Sequence, residues 1–363
     1  MRVFHVISGF EGGGVETLLL RLIEKMPPET EFHVIAHRID YAPCAEAFRQ
    51  LGVTIHLIPC RKHYFAHQRA LCRLFLQYRP DVVHVHTTEW GYLSLRAAKK
   101  CGVPFRIQHS HAAYAGAFTP MALFRSWAFW LGRRYATDFV ACGKAAARSA
   151  FGEKNLKKGR VLLLYNGIDT GAYAFSAQKR ETARNALGIR EGTKAVLMAA
   201  RFSRQKNHKA ALTVFENYFK KDPNARLFFA GEGETLASVR RRAEKRLPAG
   251  SVVFLGMRSD LPVLYSGMDL FLLSSRFEGL PISLIEAQAA GLPAVVPDTV
   301  SAEAAVTDLV SFCPLSEKDA FCRAMGKNAP ADRGVYAGRV AAAGFDLCAT
   351  ANRLLSFYRT HRF

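Results

Sequence analysis

Short apolar runs alternate with longer stretches of mixed polarity along most of this chain. Residues 3–8, 32–36, 53–58, 81–85, 105–108, 139–141 and 161–164 have strand length and little polarity. Between them, residues 16–25, 44–51, 66–77, 92–100 and 122–135 carry apolar positions at helical spacing. Buried strands separated by amphipathic helices predict a parallel sheet covered on both faces. A turn-rich stretch over 165–175 reads as a linker, and a second alternating set follows it. Its strands are expected at 195–199, 226–230, 252–255, 270–273 and 294–296, with helices at 209–220, 236–246 and 282–290. The pattern predicts an α/β protein of two doubly wound, Rossmann-like domains facing across a cleft, at 1–168 and 169–344. The last segment, 345–363, has an apolar face from Phe345, Leu347, Leu354, Leu355, Phe357 and Tyr358. It either caps the second domain or crosses back to the first.

A length of 363 residues fits two domains, and a chain that is half hydrophobic and 22% charged fits a soluble protein with full cores. No apolar run approaches the roughly 20 residues of a spanning helix. The opening MRVFHVISGF reads as a strand entering a glycine turn rather than a signal peptide, so a cytoplasmic protein is expected. The eight cysteines form no Cys-x-x-Cys pair and sit beside no spaced histidines, which argues against zinc and against a disulfide framework. They are expected to be small core residues.

Charge changes the picture more. The formal net charge is +20, and residues 61–160 hold eighteen Lys or Arg against four Asp or Glu. Such a balance suits an anionic partner surface, membrane or nucleic acid, or else a solvated basic face. In residues 121–135 Phe124, Trp127, Phe129, Trp130 and Leu131 accompany Arg125, Arg133 and Arg134, the composition of an interfacial helix as well as of a core helix. Residues 61–79 add Tyr64, Phe65, Leu74, Phe75 and Tyr78 among basic residues. No nucleic-acid motif accompanies the charge, so an anionic membrane surface is the expected partner.

Two glutamates, Glu278 and Glu286, stand eight positions apart with a Gly279-Leu280-Pro281 turn and an apolar run between them. Pro281 fits the first turn of a helix, which leaves Glu278 in the loop before it and Glu286 inside. A helix N-terminus suits an anion, and carboxylates beside it can accept hydrogen bonds from hydroxyls. Phosphate and hydroxyls together describe a nucleotide-sugar; an ordinary acidic helix start explains the same spacing. Gly12-Gly13-Gly14 follows the first strand, either as a phosphate-approaching loop or as a plain tight turn. Arg201 to His208 follow the first strand of domain two, where Arg201 and Lys206 could neutralise a diphosphate or belong to a solvated basic loop. His109 and His111 follow the fifth strand, and His84 and His86 end the fourth. A histidine there could orient a hydroxyl, stabilise a phosphate or act as a base. No carboxylate cluster joins the four, so no metal is expected.

Taken together, these segments resemble the retaining glycosyltransferases of family 4 of the GT-B fold, nearest to the bacterial capsule, exopolysaccharide and O-antigen type. The resemblance covers nearly the whole chain: the glycine loop with Val15-Glu16, VVHVH, QHSHA, YNGID, AARFSRQKN and, most specifically, FEGLPISLIEAQAAGLP fall in the family's order. It implies that Arg201 and Lys206 hold the donor diphosphate, Glu278 the sugar hydroxyls and Glu286 the ribose. It further implies that amides of Gly279, Leu280 and Ile282 meet sugar and phosphate, that Gly13 and Gly14 close over the diphosphate, and that His111 lies near the reacting centre. Arg258, in Gly256-Met257-Arg258, matches the loop flanking the nucleobase. Ala200 and Asn207 replace glycines common in the family's phosphate loop, but both cations remain. In this family the C-terminal helix returns to domain one.

The same resemblance implies front-face transfer with retention, without metal or cofactor. The donor would be a nucleotide-sugar, a UDP-sugar, and the acceptor a lipid-linked glycan. The protein would act in cell-surface polysaccharide synthesis, attached peripherally to the inner face of the cell membrane. No Asp-x-Asp and no convincing carboxylate pair for double displacement stand in the sequence. A GT-B sugar-nucleotide epimerase, or a membrane-attached binding subunit with a degenerate site, are the alternatives.

Overall fold

The computed structural model describes residues 1–87, 90–111 and 120–360, with the backbone alone at 120–122. The side chains of Met121 and Ala122, Ala112 of the QHSHA segment and residues 361–363 therefore lie outside the described residues. The chain divides into two compact units, Met1–Gly167 with Leu347–Phe363, and Ile168–Asp346.

The first unit is a seven-stranded, wholly parallel sheet. Its strands are β1 Arg2–Val6, β2 Glu31–Ala36, β3 Thr54–Leu57, β4 Val82–Val85, β5 Phe105–Ser110, β6 Asp138–Ala141 and β7 Val161–Leu163. They lie in the order β3-β2-β1-β4-β5-β6-β7. Side chains alternate along each strand, so the sheet builds two cores. Phe4, Val83 and Val85 pack with Leu71, Phe75 and Leu95 on one face. Val3, Val34, Phe105 and Ile107 pack with Leu19, Leu22, Leu354 and Phe357 on the other.

The helix Leu347–Thr360 supplies part of that second core, although the chain reaches it only after completing the other unit. Leu347, Ala351, Leu354 and Tyr358 recur at helical spacing and are all buried. Phe357 meets Phe105 edge-on with ring centroids 5.2 Å apart.

The second unit is a six-stranded parallel sheet in the order β10-β9-β8-β11-β12-β13. Its strands are β8 Ala195–Ala199, β9 Arg226–Ala230, β10 Val252–Gly256, β11 Leu270–Leu272, β12 Ala294–Pro297 and β13 Val310–Cys313. The buried Arg333 guanidinium donates to the carbonyls of Tyr265, Met268 and Ala290 at 2.9–3.0 Å. Burial pulls its pKa down to about 9, against the opposing pull of the Asp269 carboxylate.

Several expectations need correction. The stretch read as a linker contains the helix Thr170–Tyr173, capped by the Asp169 carboxylate at 2.8 Å from the Ala172 amide. A ten-residue helix, Ala177–Ala186, follows at once. Of the eight cysteines, all free, only Cys142, Cys313 and Cys322 are buried, while Cys60 and Cys348 are exposed. Among the described residues no helix is long and apolar enough to cross a membrane.

The packing of the C-terminal helix makes a direct prediction. All three tryptophans, Trp90, Trp127 and Trp130, belong to the first unit, so their fluorescence reports its unfolding. Phe357→Ala should lower the unfolding free energy read by tryptophan fluorescence in urea by about 3–5 kcal/mol. A loss below about 1 kcal/mol would mean that the helix does not hold this core together.

Candidate active site

In an open parallel sheet the strand order reverses at one place, and the loops beyond the carboxyl ends of the two flanking strands part to leave a crevice. In the second unit that place lies between β8 and β11. The loops leaving those two strands carry Arg201 to Asn207 and Ser274 to Pro281. They are tied together by the Arg276 amide donating to the Gln205 carbonyl at 2.8 Å and by the Ser274 hydroxyl at 3.0 Å from the Asn207 carbonyl.

Across this junction Lys206 Nζ lies 2.6 Å from a Glu278 carboxylate oxygen. Gln205 Nε2 donates to the same oxygen at 3.4 Å and to the Phe277 carbonyl at 3.2 Å. The pair is largely buried, with side-chain exposures of 22% and 10%. Removing either partner would strand the other's charge in a poorly solvated place. The Ser301 amide donates to the Glu278 carbonyl at 3.2 Å and fixes the loop from its far side.

The helix Ile282–Ala289 begins directly after this loop. Pro281 is its N-cap (φ −70°, ψ 114°) rather than a residue of its first turn. No side chain caps the helix and its first turn holds no acidic residue. The first amides and the positive end of the helix dipole therefore remain available to an anion. Glu286 is buried inside the helix, where the Tyr265 hydroxyl donates to it at 3.2 Å. Gly279 is exposed, and Leu280 and Ile282 are half-buried at the same turn.

The remaining expected residues of this unit are not drawn together in the same way. Arg201 is exposed and makes no side-chain hydrogen bond among the described residues. Arg258 is held by Asp260 through two bonds, at 2.8 and 2.6 Å. This ion pair raises the Arg258 pKa and lowers that of Asp260. A cavity of about 550 Å³ lies against Ser203, Arg204, Asn207, Lys209, Thr235 and Arg276, yet it touches neither Lys206 nor either glutamate. The cavity and the ion pair beside the helix end are therefore separate features of this unit.

One element that shapes these loops was overlooked in the sequence. Gly231 and Gly233, directly after β9, have φ values of 138° and 147°. A Cβ on either would come within 2.3 Å of the Ala200 carbonyl oxygen or 2.4 Å of that of Phe202. These glycines let the β9 loop press against the Arg201 loop and fix its path, sealed by the Phe202 amide donating to the Glu232 carbonyl at 2.8 Å. The Gly-x-Gly spacing at a strand end was the signal.

In the first unit the strand order reverses between β1 and β4. Gly13 is the N-cap of the helix Gly14–Glu24, and Glu16 Oε2 lies 3.0 Å from where its Cβ would be. The Glu16 carboxylate accepts from the Glu11 amide at 3.1 Å. The open space at Gly13 thus seats an internal carboxylate, which departs from the phosphate approach expected there. Gly14 has no atom within 4 Å of its would-be Cβ. His111, half-buried after β5, has Nε2 at 2.8 Å from His86 Nδ1. Burial pushes its pKa down to about 4, so its ring is neutral at pH 7.

The expected interfacial helix spans Pro120–Tyr135. Leu123, Trp127 and Trp130 are exposed, whereas Phe129 is buried against Phe151 and belongs to a core. On the helix Tyr64–Tyr78, Phe65 is 81% exposed and Leu76 62%. Arg134 stacks on Trp130, and Arg61 on Trp90, at about 5 Å from the ring centres.

Comparison with known proteins agrees with this architecture. A structure of Anabaena Alr3699/HepE in complex with UDP and glucose superposes with a TM-score of 0.78 at 16% identity, covering 99% of this chain and all of that one. WaaG, a glycosyltransferase involved in lipopolysaccharide biosynthesis, gives 0.70 at 15% identity, with 99% of this chain and all of that one covered. The fold is that of the GT-B glycosyltransferases. The description Glycosyltransferase Family 4 matches residues 12–172, and Glycosyl transferases group 1 matches 179–326. The putative glycosyltransferase EpsF of Bacillus subtilis (strain 168) is 31% identical over 98% of this chain and 96% of its own length. The Escherichia coli UDP-Gal:alpha-D-GlcNAc-diphosphoundecaprenol alpha-1,3-galactosyltransferase is 25% identical over 62% of this chain and 60% of its own. This chain belongs to glycosyltransferase family 4 and is a glycosyltransferase.

The two glycine loops lead to opposite outcomes for one substitution. Gly231→Ala must move backbone and should destabilise the second unit by about 1–3 kcal/mol in calorimetric unfolding. Gly14→Ala meets nothing and should leave stability unchanged or raise it by up to about 1 kcal/mol. Equal effects of the two would show that the Gly231 loop is not constrained as described.

Proposed function

We propose that this enzyme transfers a hexose or N-acetylhexosamine from a UDP-sugar to a lipid-linked glycan in cell-surface polysaccharide synthesis, with retention and without a metal. The observation that carries the proposal is the Lys206–Glu278 pair at the strand-order reversal, beside an uncapped helix end. The HepE complex with UDP and glucose, and the E. coli relative named for a diphosphoundecaprenol-linked acceptor, support the kinds of donor and acceptor.

In this reading the donor's diphosphate sits over the N-terminal amides near Ile282, with Lys206 and Arg201 neutralising it. Lys206 then exchanges part of its pairing with Glu278 for the phosphate. Glu278 is left free to accept hydrogen bonds from the donor sugar, with the Gly279 and Leu280 amides alongside. Glu286, positioned by Tyr265, accepts from the ribose, and Arg258 flanks the base. Gly14, whose side is open, serves the diphosphate, and neutral His111 accepts from a hydroxyl at the reacting centre.

The bond from the anomeric carbon to the phosphate oxygen breaks while the acceptor oxygen bonds to that carbon on the same face. The acceptor's proton passes to the departing phosphate. Cations and helix amides stabilise the charge that develops there.

Lys206→Ala and Glu278→Ala should each lower kcat for transfer by about 10²-fold or more, with wild-type far-UV circular dichroism and an unfolding midpoint lowered by the unpaired charge. Near-normal turnover in both would remove the site assignment. NMR of the product should show the donor's anomeric configuration retained. Conversion of the UDP-sugar without acceptor would instead identify an epimerase.

The exposed Phe65, Trp127 and Trp130 of the first unit, with Arg134 exposed and Arg125 and Arg133 half-buried on the same helix as the tryptophans, support attachment to anionic membrane. Vesicles containing phosphatidylglycerol should float the wild-type protein. The combined Arg125→Glu, Arg133→Glu and Arg134→Glu variant should stay in solution. Undiminished flotation of that variant would exclude this surface as the anchor.

A further inference from the structure

Five imidazoles meet inside the first unit, and the transfer reaction described above uses one of them. His5 lies on β1, His84 on β4, His86 just beyond it, His109 on β5 and His111 just beyond that. They form two strings. His5 Nδ1 is 2.9 Å from His86 Nε2, and His86 Nδ1 is 2.8 Å from His111 Nε2. In the other string the Tyr358 hydroxyl is 2.6 Å from His84 Nδ1, and His84 Nε2 is 3.1 Å from His109 Nδ1. That second string ends on His109 Nε2, which is buried and has no hydrogen-bond partner among the described residues. Leaving a buried nitrogen of this kind without a partner is costly.

Two sets of three place one ligand nitrogen from each ring within 4.8 Å of one another. His5, His84 and His86 are all buried, which leaves an ion no way in. His86, His109 and His111 include the orphaned nitrogen, and His111 is half-exposed, so this set has an entrance.

We propose that His86, His109 and His111 bind one divalent late first-row metal ion of the zinc class, with water in the fourth position. Three imidazoles without a carboxylate suit zinc, nickel or copper and not magnesium or calcium. The hydrogen bonding supports the same assignment. His86 Nε2 is already taken by His5 and His109 Nδ1 by His84, so those rings are left with His86 Nδ1 and His109 Nε2, and His111 Nε2 lies beside the first of these.

With the ion bound, His86 Nε2–H donates to His5 and His109 Nδ1–H donates to His84. His84 Nδ1–H then donates to the Tyr358 oxygen. His86 and His109 thereby each have the hydrogen-bonded outer partner that fixes a metal-bound imidazole. The hydrogen now between His86 and His111 moves to the far nitrogen of its own ring, so no proton is gained or lost. Zn–N bonds of about 2.0–2.1 Å require the 2.8 Å nitrogen pair to open by roughly half an ångström.

An ion held there occupies His111. Zinc would therefore inhibit transfer, a consequence that rests on the role proposed for His111, whereas the binding itself does not.

The test uses the full chain without a histidine tag, with the exposed Cys60 and Cys348 changed to serine. Zinc binding is measured by competition with a chromophoric chelator, and Co²⁺ is added as a visible probe. One ion per chain is expected, with Co²⁺ giving tetrahedral d–d bands. His86→Gln and His109→Ala should each weaken zinc by about tenfold or more, while His63→Ala, at an exposed histidine, should not. Nitrogen-15 spectra of the wild-type histidines give a second reading that needs no variant: zinc should shift His86, His109 and His111 and leave His33 and His208 in place. Absence of stoichiometric binding, zinc retained when both His86 and His109 are replaced, or shifts confined to other histidines would each overturn the proposal.

Discussion

A parallel sheet covered on both faces leaves little room for a charged side chain except near the ends of its strands, and ligands meet it at the carboxyl ends. That constraint organises both units. β8 and β11 are wholly buried along their length, and the first charged residues after them, Arg201 and Arg276, arrive where the backbone leaves the sheet. Because the strand order reverses between these two strands, their loops lie beside a common opening and can exchange an ion pair. Lys206 and Glu278 are 72 positions apart in sequence, yet the topology makes them neighbours. The helix at Ile282 follows for the same reason: a crossover from β11 to β12 must start there, and its N-terminus points back at the opening.

The first unit departs from this rule in one respect, and the departure is informative. His5, His84 and His109 sit within the sheet and are almost fully buried. Burial holds all of them well below the usual histidine range, so they stay neutral. A neutral imidazole still brings a donor and an acceptor that need partners, and here the rings satisfy most of one another's, with His109 Nε2 left over. Tyr358 closes one string from the C-terminal helix, which links that helix to the polar interior as well as to the apolar core. Polar groups at this depth tie strand register and helix position together, because a shift of either would break several hydrogen bonds at once.

Much of this was legible from the amino-acid pattern. Buried strands such as β8 announce themselves because both of their faces are apolar, and β1 and β4 do so with a single histidine each. The elements that escaped notice were short or lacked a stripe. The helix Ala177–Ala186 buries only Ala183, so no periodicity marks it. β13 is a half-exposed edge strand, and the helix Leu261–Gly267 is only seven residues long. At the site, Glu278 and Lys206 could be picked out as residue types, but their contact could not, since it depends on strand order. Gln205 and Tyr265 are ordinary in sequence and acquire meaning only through the carboxylates they touch. Likewise four histidines were visible as two pairs, while His5, 79 positions from His84, joined them only through the β1–β4 pairing.

The central claim is that the loops leaving β8 and β11 divide the donor between them, Lys206 taking the phosphates and Glu278 the sugar. Calorimetric titration of UDP and of the matching UDP-sugar into wild type, Lys206→Ala and Glu278→Ala tests this most directly. The account predicts that Lys206→Ala weakens both ligands by a similar factor. It predicts that Glu278→Ala binds UDP much as wild type does but loses the added affinity that the sugar provides. If Glu278→Ala leaves the preference for the UDP-sugar intact, or Lys206→Ala binds both ligands normally, this division of the donor is wrong.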